Sequence, residues 1–79
     1  MEFLYEFKTK GRVRFGDMRR AQKGDLDACA AVICSSAFDP VLQEWADPEK
    51  VLELVDQMTL EEVTDLVNQV AGAMVPKAT

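Results

Sequence analysis

The chain has 79 residues, 48% of them apolar and 29% charged, and carries a formal net charge of −5. That length makes one small domain, residues 1–79, which buries only about 60% of the surface its unfolded form exposes, so its stability is marginal unless it oligomerises. The composition is too apolar for a disordered chain, no apolar run approaches the roughly 20 residues needed to cross a bilayer, and MEFLYEFKTK lacks the basic-then-apolar order of a signal peptide, so a cytoplasmic location is expected.

From the N-terminus, Phe3, Tyr5 and Phe7 alternate with Glu2, Glu6 and Lys8, which predicts a half-buried strand. Thr9-Lys10-Gly11 reads as a turn, and Val13 and Phe15 alternate again, so residues 2–15 are expected to form a β-hairpin. An isolated two-stranded hairpin is marginal in water and must rest on the helices or lend an edge to another chain.

A short helix is expected from Met18 to Lys23, capped by Asp17 and stopped at Gly24. Its basic residues Arg19 and Arg20 read either as a solvated turn or as an anion or partner contact. Asp25 caps the next helix, on which Leu26, Cys29, Ala30, Ile33 and Ala37 share a face. Its many small residues allow close approach, which marks it as the central core helix. Asp39-Pro40 ends it or starts a new turn, and Val41–Ala46 is expected to be a short helical piece with Trp45 as a core plug or a partner hot spot.

Two amphipathic helices complete the chain. Asp47 is the expected N-cap of the first, with Pro48 at its first position and Val51, Leu54, Val55 and Met58 on one stripe. Thr59 and Glu62 form the capping box of the second, and Met58 and Val63 can close a hydrophobic staple. Leu60, Val63, Leu66, Val67, Val70 and Met74 continue the stripe, and residues 75–79 are expected to fray. The predicted fold is therefore α+β: an N-terminal β-hairpin followed by a bundle of three to four α-helices over residues 17–74.

The chain contains no histidine, no nucleophile elbow and no phosphate loop. Cys29 and Cys34 are about 140° apart around a helix, so they read as two reduced core thiols rather than as a disulfide or metal ligands. The expectation is a protein that is not an enzyme and has no cofactor. Charge is unevenly spread: residues 1–23 hold seven basic against three acidic side chains, and residues 24–79 two against eleven. That asymmetry reads either as an ordinary solvated surface or as a means of head-to-tail self-association.

FLYEFKTKGRVRF, then GDMRRAQKGD, then LVDQMTLEEVTDLV together resemble the small tail assembly chaperones of long-tailed bacteriophages, over about residues 3–74. The resemblance implies a phage protein of the host cytoplasm that coats the hydrophobic tape-measure protein during tail assembly. It supplies no catalytic positions. Client or self-association contacts are expected from Phe3, Tyr5, Phe7, Val13, Phe15, Arg19, Arg20 and Trp45, with a homo-oligomer expected, no membrane partner and little place for nucleic acid. The rival readings are a small acidic phage inhibitor imitating nucleic acid, which needs Asp27, Glu44, Glu49, Glu53, Asp56, Glu61 and Asp65 on one face, and a structural piece of the virion.

Overall fold

The computed structural model describes residues 3–74; the expected frayed tail lies outside the described residues. It is an α+β fold. A three-stranded antiparallel sheet, β1 (Glu6–Phe7), β2 (Ala37–Asp39) and β3 (Glu44–Trp45), accompanies four helices, α1 (Phe15–Gln22), α2 (Leu26–Ser36), α3 (Pro48–Asp56) and α4 (Leu60–Met74). The sheet order is β1-β2-β3, with Glu6 opposite Phe38 and Phe38 opposite Trp45.

The hairpin is not where the alternation put it. β1 pairs with β2, not with residues 12–15, and the Lys8 N–H donates to the Ser36 carbonyl at 2.8 Å. Around Gly11 the chain coils instead of reversing: the N–H groups of Arg12 and Val13 both donate to the Thr9 carbonyl, and Phe15 opens α1. Alternation identifies the face a strand buries, but not the strand it pairs with. The hairpin that does form is β2–β3, so the expected helical piece at Val41–Ala46 is a turn and a strand.

The short basic helix also begins earlier than Asp17. Its N-cap position is Arg14, without a side-chain cap, and Asp17 lies within the first turn, where it ion-pairs with Arg20. Gly24 ends the segment at φ +95°, a conformation that a Cβ would strain, and lets α1 turn sharply into α2.

The caps of the other three helices form as expected. Asp25 accepts from the N–H of Ala28 at 3.2 Å, and Asp47 accepts from the N–H of Glu49 at 3.0 Å. Thr59 and Glu62 exchange hydrogen bonds at 3.2 Å in each direction. Acceptance by the Glu62 carboxylate lowers its pKa below the ordinary value.

α2 is the centre of the molecule and packs against α1, α3, α4 and β1. Its buried arc is Ala28, Cys29, Val32, Ile33 and Ser36, onto which α3 lays Val51 and Val55 and α4 lays Leu66, Val67 and Val70. Ser36 is fully buried, and its hydroxyl is satisfied by donating to the Val32 carbonyl at 2.7 Å. Phe3, Tyr5, Phe7 and Val13 pack on this core from the sheet side.

Candidate partner-binding surface

Of the expected contact residues, the structure turns four inward. Phe3, Tyr5, Phe7 and Val13 are half-buried against the core. Phe3 sits edge-on to Tyr5 at 5.3 Å and stacks with Phe7 at 5.4 Å. The aromatic stripe therefore covers the helices of its own chain, which removes the uncovered hairpin as the ground for self-association.

Trp45 is neither a core plug nor helical. It lies on the outer face of the sheet, edge-on to Phe38, with the Arg12 guanidinium 4.0 Å from its ring centre and the Lys8 ammonium 3.8 Å from that of Phe38. Arg12 also donates to the Ser35 carbonyl at 3.0 Å. These cation–π contacts occupy the rings and tie residues 8–12 to the sheet. Phe15, Arg19 and Arg20 are all exposed on α1, with Arg19 beside Phe15 and Arg20 about 140° round the helix from it.

Two uncovered apolar surfaces stand out: one at Leu4, Val41 and Leu42 beside the sheet, and a second that includes two leucines periodicity assigned to the core. Leu26, Leu52 and Leu60 are 62%, 41% and 66% exposed, one from each of α2, α3 and α4. They border three adjoining depressions. A central one of about 370 Å³ lies between Leu26, Ala30, Leu52 and Leu60, with Asp27 and Asp56 on its rim. It shares Ala30 and Leu52 with a strongly apolar one of about 280 Å³ at Ala31, Cys34 and Pro48. It shares Leu26 and Leu60 with a third of about 280 Å³ reaching Gly24 and Val67. Together they make an apolar groove running along α2, walled by α3, α4 and the end of α1, with Asp27 and Asp56 lining its centre.

The phase of the helices explains it. Leu26 lies about 90° round α2 from the middle of its buried arc at 100° per residue, and it follows Asp25 in the first turn. Leu60 stands in the same position after Thr59 on α4. Leu52 falls outside the Val51, Leu54, Val55 and Met58 stripe altogether. That off-stripe leucine between two predicted core helices was the one available signal of this surface.

Two thiols line the groove. Burial pushes the thiols of Cys29 and Cys34 above their ordinary pKa, aided by Asp25 and Asp56 respectively, which keeps them protonated and weakly nucleophilic. The two cysteines are free, and Cys29 donates to the Ala21 carbonyl at 3.4 Å. Among the described residues no three histidine, cysteine or acidic side chains converge to hold a metal. No described helix is long and apolar enough to cross a membrane. What the arrangement can do is take an apolar helical stripe flanked by basic side chains.

No protein-family model matches the chain, and neither curated proteins nor solved structures yield a match.

Proposed function

We propose that the protein is a non-enzymatic assembly factor of the host cytoplasm, of the phage tail chaperone kind, that holds an amphipathic helix of its client in the groove along α2. The observation that carries this reading is the groove itself: three half-exposed or exposed leucines on three helices, bordered by Asp27 and Asp56. A tape-measure protein is a long helical client whose apolar stripes need cover before the tail tube closes round them. A groove of this kind covers one stripe without any chemical step, and its small residues Ala30 and Ala31 admit a close helix.

The nucleic-acid mimic is the weaker reading. Asp27 and Asp56 line the central groove, Asp65 lines a separate depression with Phe3 and Tyr5, and Glu44 sits on β3, so the carboxylates are spread round the molecule.

The test is co-production with a tape-measure protein. The client is expected to stay in the soluble fraction and to co-purify with the wild type, but not with a Leu52→Glu, Leu60→Glu variant of unchanged helix content. Equal retention by both would sink the groove as the binding surface.

A further inference from the structure

We propose that, before a client arrives, the groove of one copy is occupied by α1 of a second copy, and that client and copy compete for it. The inference rests on reading the groove as a helix-binding surface and names what fills it in the free protein.

α1 has the shape and charge that the groove asks for. Met18 and Ala21 are its buried side. Phe15, Arg19 and Lys23 fall at i, i+4 and i+8, forming one outward stripe. Phe15 is 77% exposed, among the most exposed large apolar side chains in the molecule. The stripe is thus an aromatic anchor followed by two cations. The groove is the converse: an apolar floor at Leu26, Leu52 and Leu60 with carboxylates at Asp27 and Asp56. Seating Phe15 among the leucines would bring Arg19 and Lys23 towards those two acids, and the opposite charges steer the approach. One contact would cover the exposed phenylalanine and the three exposed leucines together.

The occupant has to come from another copy. Within its own chain α1 is pinned to α2 through Met18, Ala21 and the tight junction at Gly24, with its stripe turned away from the core. Reaching its own groove would require unpacking that side of the core. The donor stripe and the leucine floor are made of different residues, although the end of α1 at Gln22 borders the groove, so the contact is heterologous and each copy can both give and receive.

Light scattering and sedimentation velocity on three proteins test this. One is the wild type. The second is Phe15→Ser with Arg19→Glu, which spoils the donor. The third is Leu52→Ser with Leu60→Ser, which spoils the acceptor. All four positions are exposed or nearly so, and circular dichroism checks that each variant is folded. The wild type is expected to exceed the mass of one chain at tens to hundreds of micromolar and to fall back towards it as salt shortens the screening length from about 10 Å at 0.1 M towards about 3 Å at 1 M. Each variant alone is expected to stay at one chain, while their equimolar mixture forms a two-chain species, since each retains the half the other lacks. A wild type of one-chain mass throughout, variants that associate like the wild type, or a mixture that stays monomeric would each overturn the inference.

A helical peptide with leucines on one face and lysines beside them serves as the client probe. In excess it is expected to return the wild type to one chain. Peptide binding that leaves the larger species intact overturns the competition while sparing the functional reading. Association lost in both variants and restored on mixing, with no peptide binding, supports the contact between copies and overturns the functional reading instead.

Discussion

Asp39-Pro40 and Asp47-Pro48 are the same dipeptide, placed a short distance apart, and they lead into different structures. In both, the aspartate accepts hydrogen bonds from the backbone just ahead. Asp39 takes the N–H groups of Val41 and Leu42 at 2.9 and 3.0 Å, and Asp47 takes that of Glu49 at 3.0 Å. Local hydrogen bonding starts a turn equally well in each. The difference lies in the residues beyond the proline. After Asp47, Val51 and Val55 reach the core one turn apart, so each further turn of helix buries more apolar surface. After Asp39, Val41 and Leu42 are 86% and 64% exposed, and no second turn has anything to bury. The chain reverses through Gln43 at φ +57°, and Trp45 pairs back onto Phe38. A helix start is a local event, whereas a helix depends on the surface that receives it.

The most severe way to break this contrast is to remove what α3 buries. Val51→Ala is expected to lower unfolding free energy by about 2 kcal/mol in denaturant melts, through lost burial and a small cavity. Val41→Ala, directly after the other dipeptide, is expected to change it by less than about 0.5 kcal/mol. Similar losses at both would mean that the turn is packed as tightly as the helix.

The start signals come next in size. Thr59→Ala and Asp47→Ala are each expected to cost about 1 kcal/mol, because each removes the acceptor for a first-turn N–H. An unchanged midpoint for Thr59→Ala would mean that α3 and α4 need no separate start.

A smaller effect of opposite sign sharpens the contrast. Gln43→Gly is expected to raise stability by about 0.5 kcal/mol. Relief of the left-handed backbone slightly outweighs the glycine's extra chain entropy and the lost bond from the Gln43 side chain to the Pro40 carbonyl. A destabilised variant would show that this side-chain bond, rather than the backbone shape, holds the turn.

The smallest effect is one of pH. Glu62 has a depressed pKa in the fold, so the stability it contributes is present above its ordinary value of 4.5 and is lost as pH falls through its lower folded-state pKa. Acid titration of wild type and Glu62→Gln, followed by thermal melts, is expected to show a shallower fall below that pH in the variant. Identical curves would remove the capping box from the acid response.

Much of the helical half was legible because its signals are local. Pro48 after Asp47, the reciprocal Thr59–Glu62 pair and the Val51/Val55 spacing each act within two turns, and the structure bears out all three. The α+β class was legible for the same reason. The sheet was harder to read. Phe3, Tyr5 and Phe7 announced a face, but their strand's partner begins at Ala37, on the far side of two helices. The groove was harder still, because Leu26 and Leu60 satisfy the helical stripe and differ from core leucines only in lying at its edge and in the first turn. Phe15 was assigned to the hairpin and instead opens α1, whereas Arg19 was read on the short helix where it stands; both are exposed there.

The pairing of β1 with β2 also sets an order of events during synthesis. The strand at Glu6–Phe7 leaves the ribosome before its partner Ala37–Asp39 has emerged. At 5–20 residues per second the wait is roughly 2–6 s. Throughout it, Phe3, Tyr5 and Phe7 form an unroofed aromatic strand beside a basic stretch, and α2 cannot settle until α3 and α4 arrive to cover it. During that wait the chain is thus most exposed to capture by cellular holdases, or by neighbours on the same message, at this strand. Its own completion then withdraws that bait.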